Sequence, residues 1–360
     1  MQYVGIDLGA TKSSVCVLDE DGAVLDQCEV ATSELGEYLK RYKGRVVMES
    51  CTQSRRVAEL AQAAGHRVVV VPGSFVRQLG VGARGIKTDA RDAEVLARAS
   101  LRNPNLPSVR PCCDRSRDHR RLLKARQQLV RTRTRCVASI KTYLRGELIV
   151  VRGRALPSTF CQIVKDLLLA RPDGIPLDIS IQLDHLTDLQ KHIDKLNASI
   201  DEIVQQDQVC RRLMTVPGVG PVVSLAFAST VDETSQFPTA EHLVSYLALV
   251  PGENTTGGKI RRTGVINAGP DLLRSVLIQA AWSTWRTQPD SPLVQWARRV
   301  ADRRGKKVAV IALARKLAAI MYAMWKHETT YQPLRAAALP IAAPPAGAAT
   351  RPVAAAPATT

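Results

Sequence analysis

The sequence predicts an α/β domain followed by a longer, mostly helical region. Two patterns carry that prediction. Short β-branched runs alternate with turn and helix signals over the first hundred residues, and the rest reads in long amphipathic helical periods. A third observation concerns the partner. The 360 residues hold 50 Lys and Arg against 33 Asp and Glu, a formal charge of +17, and such an excess suits a polyanion.

The first three strands are "QYVGIDLG", "SSVCVLDEDG" and "AVLDQCEVA", with Asp21-Gly22 as a hairpin turn. "GRVVMES" and "HRVVVVP" follow as short buried strands on either side of a helical "SRRVAELAQAAG". Three hairpin strands and then strand–helix–strand is the order of a ribonuclease-H-like sheet. There the first and fourth strands are neighbours, so Asp7, ending the first, and Glu49, ending the fourth, project at one edge. Asp89 and Asp92, in "IKTDARDAEVLAR", lie three apart on one face of a helix that can close the cluster.

Carboxylates this close require a counter-charge, and oxygen-only ligands select Mg²⁺ or Mn²⁺. Two such ions suit phosphoryl transfer, because they stabilise the attacking and the leaving oxygen. Singly, each residue has a plainer role: Asp7 as a strand-end turn former, Asp89 as a helix cap, Glu49 and Asp92 as surface charges. Together, on a basic chain, they read as a metal site. "GIDLGATKSSV" also resembles the first phosphate loop of actin-like sugar kinases. The second phosphate loop and the adenosine-binding glycine motif of a kinase are not found.

Residues 110–154 hold fourteen Lys/Arg and three Asp/Glu, a local net of +11. This run reads as one long helix from about 115 to 150, with Arg120, Arg121, Lys124, Arg131 and Arg135 as candidate nucleic-acid contacts. A membrane surface is disfavoured, because charge covers most helical faces and no bulky aromatic anchors it. Further on, Leu186, Leu189, Ile193, Leu196, Ile200 and Ile203 form a heptad seam. The seam can pack on the basic helix within one chain or against a second copy.

The eight cysteines include no CxxC pair and read as reduced thiols. The N-terminus lacks the pattern of a signal peptide, and no apolar run is read as approaching the ~20 residues of a spanning helix. A cytoplasmic, nucleoid-associated protein is expected. A second compact region opens with "LMTVPGVGPVVSLAFAS", where Gly218 and Gly220 fit either a helix-hairpin-helix phosphate contact or a plain turn. The expected organisation is 1–110 acidic domain, 111–208 basic helix and coiled coil, 209–335 C-terminal domain, and 336–360 a disordered Ala/Pro-rich tail.

"SYLALVPGENTTGGKIRRTGVINAGPDLLRSVLIQAAW", taken with Asp7, Glu49 and "KTDARDA", is the most specific pattern in the chain. It closely resembles the DEDD transposases of bridge-RNA-guided insertion sequences and the related Piv-type DNA invertases, from Met1 to about residue 330. The resemblance implies a RuvC-like metal domain with Asp7, Glu49, Asp89 and Asp92 as ligands. It also implies a second transposase domain whose serine completes a composite site between subunits of a dimer or tetramer. A structured guide (bridge) RNA pairs with donor and target DNA in such systems. Lys259, Arg261, Arg262 and Arg274 match the family's basic positions around the serine loop.

Two departures stand out. Thr255-Thr256-Gly257 replaces Ser-Ser-Gly, and Asn267 stands where the family often has Lys. Threonine keeps a hydroxyl, while its β-methyl stiffens χ1 and crowds in-line attack. Thr256, beside the glycines, is the preferred nucleophile over Thr255. The expected function is an RNA-guided DNA transposase. The alternatives are a Mg²⁺-dependent junction-resolving nuclease, a DNA invertase, or a non-catalytic nucleic-acid-binding relative.

Overall fold

The computed structural model describes residues 1–79, 88–109, 112–151, 157–253, 262–265 and 269–333. The chain divides into two compact units, Met1–Pro111 and Cys112–Ala349. The Ala/Pro-rich tail lies outside the described residues.

In the first unit, β1 (Gln2–Asp7), β2 (Lys12–Leu18), β3 (Val24–Ala31), β4 (Gly44–Glu49) and β5 (Arg67–Val71) form one sheet in the order β3-β2-β1-β4-β5. The β1–β2–β3 meander is antiparallel, and β4 and β5 run parallel to β1. The β2–β3 turn closes because the Asp19 carboxylate accepts the N–H of Asp21 and of Ala23 at 3.0 and 2.8 Å. Gly22 takes the left-handed backbone (φ 86°) that the turn demands.

Side-chain alternation splits the sheet. Val4, Ile6, Val15, Val17, Val46 and Met48 form one core with α1 (Leu35–Leu39) and α2 (Ser54–Ala63). On the opposite face, Cys16, Leu18, Val47, Val69 and Val71 receive α4 (Asp89–Arg102), and Val71 leads into α3 (Gly73–Gln78). A Cβ on Gly5 would lie 2.0 Å from the Ala93 carbonyl oxygen and 2.5 Å from the Ala97 nitrogen, so glycine lets α4 lie directly on β1. At the far end of α4, Arg45, only 3% exposed, donates to the carbonyls of Ser100 (3.3 Å) and Asn103 (3.2 Å). Helix α4 therefore runs antiparallel to β1 and β4, and its N-terminus sits over their C-terminal ends.

The second unit opens with the basic helix α5 (Asp114–Gly146), followed by α6 (Pro157–Leu169) and α7 (Leu177–Gln206). Ion-dipole and thiol contacts fix the α5–α7 pairing. Arg126 donates to Asn197, Arg133 to Gln190 and Cys136 to the Gln182 carbonyl, so the two helices are antiparallel. Seam residues Leu186, Leu189, Ile193 and Ile200 are buried within the chain. Intrachain packing thus occupies this seam, and the apolar repeat reports the α5–α7 contact.

The rest of the unit comprises α8 (Gln208–Leu213), α9 (Pro221–Val231), α10 (Ala240–Tyr246), the strand pair β6 (Pro251–Glu253) and β7 (Arg262–Val265), then α11 (Asp271–Thr287), α12 (Pro292–Arg304) and α13 (Lys306–Lys326). Leu313, Leu317 and Met321 of α13 share one core with Phe227, Leu277 and Leu293. The expectation about apolar runs needs correction here. Helix α13, 21 residues with a mean hydropathy of 1.6 in its most apolar window, is long and apolar enough to cross a membrane. Its composition follows from its place at the centre of this core, where Ala309, Leu313, Ala314, Leu317 and Ala318 are fully enclosed.

Gly218 also finds a packing explanation. It has φ 80°, and a Cβ there would lie 2.3 Å from Thr284 Oγ1. That hydroxyl donates to the Pro217 carbonyl at 2.7 Å. The glycine serves close approach of this turn to α11.

Candidate active site

Four carboxylates share one face and one edge of the first unit. The parallel register pairs Ile6 with Met48, so Asp7 and Glu49 follow side by side at the ends of β1 and β4. Asp7 alternates with Gly5 and Glu49 with Val47, which places both on the face covered by α4. The first turn of α4 supplies Asp89, exposed, and Asp92, 7% exposed. Glu49 has a seat of its own: a Cβ on Gly73 would stand 2.4 Å from Glu49 Oε1, so this glycine makes room for the carboxylate.

Cross-strand pairing extends the row. Asp7 faces Ser14 and Ser14 faces Glu29, giving Glu29–Ser14–Asp7–Glu49 across four strands on the α4 side. Ser14, Glu29 and Gly73 carry no motif that singles them out in the sequence. Strand alternation was the available signal for the first two, and the β5–α3 glycine for the third. Among the described residues, no three His, Cys, Asp or Glu side chains are gathered closely enough to hold a metal ion. The donor set, all oxygen and on one rigid edge, fits a hard divalent cation in kind.

The basic helix resolves into two populations. Arg120 turns inward, donating to the Ser229 and Thr230 carbonyls at 2.7 and 3.4 Å, and so satisfies the open end of α9. Arg126 bonds Asn197 Oδ1 at 2.6 Å; burial, then the neighbouring Arg133, draws its guanidinium below the usual range. Arg133 bonds Gln190 at 2.8 Å. Arg121, Lys124, Arg131, Arg135 and Arg145 are exposed. Their spacing of three, seven, four and ten residues keeps them on one side of the helix, over roughly 36 Å. Arg120 thus leaves the set of candidate nucleic-acid contacts, and Arg145 joins it.

The hydroxyl loop is bracketed by a β-hairpin. Pro251 pairs with Val265 and Glu253 with Arg262, so residues 254–261 connect β6 to β7. Thr255, Thr256, Lys259 and Arg261 lie outside the described residues, as does Asn267, and Arg262 is described through its backbone in β7. Arg274 lies in the first turn of α11, its side chain 15% exposed, and pairs with Asp271 at 2.7 Å. A Cβ on Gly269 would lie 2.7 Å from the Leu247 carbonyl carbon, which packs the start of α11 against the end of α10.

Residues 4–148 match the DEDD transposase model of the IS110 type, and residues 210–295 match the model described as "Transposase IS116/IS110/IS902 family". The chain belongs to the IS110 transposase family. A relative of this transposase in Pseudomonas aeruginosa, a probable family 20 transposase, is 27% identical over 92% of this chain and 99% of its own length. The transposase for insertion sequence element IS1111A of Coxiella burnetii is 25% identical, covering 92% of each chain. That for IS1328 of Yersinia enterocolitica is 25% identical, covering 91% of this chain and 98% of its own. The transposase is accordingly an enzyme acting on DNA. The N-terminal match runs through the acidic unit and just past the end of α5, so one family pattern spans both the acidic edge and the basic helix.

Proposed function

We propose that this transposase is an RNA-guided DNA recombinase that cuts and exchanges strands at the Asp7/Glu49/Asp89/Asp92 edge of a ribonuclease-H-like, RuvC-type domain. The observation that carries the reading is the adjacency of Asp7 and Glu49 beneath the acidic first turn of α4. The sheet order β3-β2-β1-β4-β5, with three antiparallel and two parallel members, supports the domain assignment. Asp7, Glu49, Asp89 and Asp92 would hold Mg²⁺ or Mn²⁺. Bound there, divalent ions supply charge stabilisation to the attacking and leaving oxygens of phosphoryl transfer.

The protein's own groups do the rest. The strand ends fix Asp7 and Glu49 relative to one another, and Gly5 and Arg45 fix α4 and its two aspartates above them. Thr256 supplies the hydroxyl: its oxygen bonds to phosphorus, and the displaced strand oxygen leaves with a proton. Arg121, Lys124, Arg131, Arg135 and Arg145 position nucleic-acid backbones, while base pairing with a guide RNA reads sequence. Lys259, Arg261, Arg262 and Arg274 neutralise phosphate near the hydroxyl loop. Assembly is as a dimer or tetramer, in the cytoplasm.

Two experiments test this. Thr256→Ala is expected to abolish strand transfer while Thr256→Ser preserves or raises it. Transfer at the wild-type rate in Thr256→Ala would leave a hydrolytic, junction-resolving nuclease in its place. Purification after expression with the flanking non-coding DNA is expected to bring down a discrete structured RNA, and its absence would remove RNA guidance from the reading.

A further inference from the structure

The row of carboxylates poses an electrostatic problem for its substrate. A phosphodiester brought over Asp7, Glu49 and Asp89 meets like charge, so a fixed cation at the same edge has work to do. Lys12 stands at that edge. It begins β2, two residues before Ser14, and alternation puts it on the same face as Ser14 and Asp7. The antiparallel register carries it past Asp7, the last paired residue of β1, to the open end of the row.

Its ammonium donates to Glu29 Oε2 at 3.3 Å. Both side chains are well exposed, 71% and 62%, and a pair so exposed contributes little to stability. It nevertheless keeps the ammonium against Glu29, one member of the row. Glu29 also lines a cleft of about 350 Å³ with Ser14, Gln27, Thr88 and Asp89, between β2–β3 and the first turn of α4. Space of that size admits a nucleotide. Its lining among the described residues is rich in acceptors, so the phosphate of a strand at this edge needs a positive partner, and Lys12, paired with Glu29 of that lining, supplies one.

We propose that Lys12 binds the phosphodiester held over the acidic row, with Glu29 as the partner it exchanges for substrate. The inference rests on the acidic edge being the cutting site. A strand phosphate displaces the Glu29 carboxylate from the ammonium, and the neighbouring nucleotide occupies the cleft. Lys12 offers a point charge with three donors, which suits a non-bridging phosphate oxygen.

The test uses the full chain expressed with its flanking DNA, counting recombinant junctions between two plasmids. Lys12→Ala is expected to lower junction yield by about 10- to 100-fold, with Lys12→Arg recovering most of it. Lys40→Ala, which breaks a comparable exposed pair with Glu37 at 2.7 Å, serves as the control and is expected to match wild type. Thermal melting of all three should coincide with wild type. Wild-type yield from Lys12→Ala beside an inactive Asp7→Asn overturns the role of Lys12 alone. Wild-type yield from Asp7→Asn overturns the acidic site beneath it. A Lys12→Ala defect that disappears at high Mg²⁺ also overturns the proposal, because the lysine would then act on the carboxylates and not on the phosphate.

Discussion

The acidic edge and the basic helix carry opposite charge, and they differ more in how each side chain is held. Asp7 and Glu49 end adjacent strands, where register and alternation decide direction within one residue. Helix α5 offers every azimuth. Its arginines were sorted by neighbouring elements, with Arg120 taken by the end of α9 and Arg126 and Arg133 by α7. Sheet positions thus announce their role through pattern, whereas helix positions acquire one through packing. A charged run is a pool of candidates, and tertiary contacts select from it.

Breaking the acidic side should give the largest effect. Asp7→Asn is expected to lower strand cleavage in Mg²⁺ by at least about a hundredfold without changing thermal melting. Gly73→Ala pushes on the Glu49 carboxylate without touching its charge; a loss of about tenfold in cleavage is expected, and wild-type activity would show that the seat is not needed. On the basic side, Arg131→Ala and Arg135→Ala should each lower the slope of log affinity against log salt by about 1. Arg126→Ala is the counterpart from the inward population. It should leave that slope alone and cost about 1–3 kcal/mol in stability, because Asn197 loses its partner.

The smallest effect concerns pH. Hydrogen bonds from Tyr38 and then Tyr42, each 2.8 Å, hold the Asp26 carboxyl below its ordinary value. A depressed carboxylate stabilises the fold above its unfolded pKa, about 4, and loses that contribution as pH falls through the folded value. Melting of the full chain should therefore decline on acidification below about pH 4, and Asp26→Asn should flatten that decline.

Much of the first unit was legible because strands of five to eight residues with β-branched cores leave few alternatives. The pairing of Asp7 with Glu49 followed from strand order. Gly73 escaped notice because its reason is a carboxylate arriving from another strand, and no local pattern encodes that. The seam of α7 was legible as a repeat, yet its partner was not, since a heptad specifies a contact and not whose surface makes it. Arg120 was misassigned for the same reason: nothing near it in sequence reveals the carbonyls of Ser229 and Thr230.

Helix α13 has a consequence for how the protein comes into being. Synthesis from the N-terminus delivers β1 to β5 and α4 early, and the strip of Leu313, Leu317 and Met321 emerges near the end. Until Lys326 leaves the ribosome, the hairpin and the helices around it have no centre to fold upon. A chain that ends before that point already contains residues 254–261, yet it lacks the strip that shares a core with Phe227, Leu277 and Leu293. The last helix to emerge is thus the one on which the core of the second unit waits.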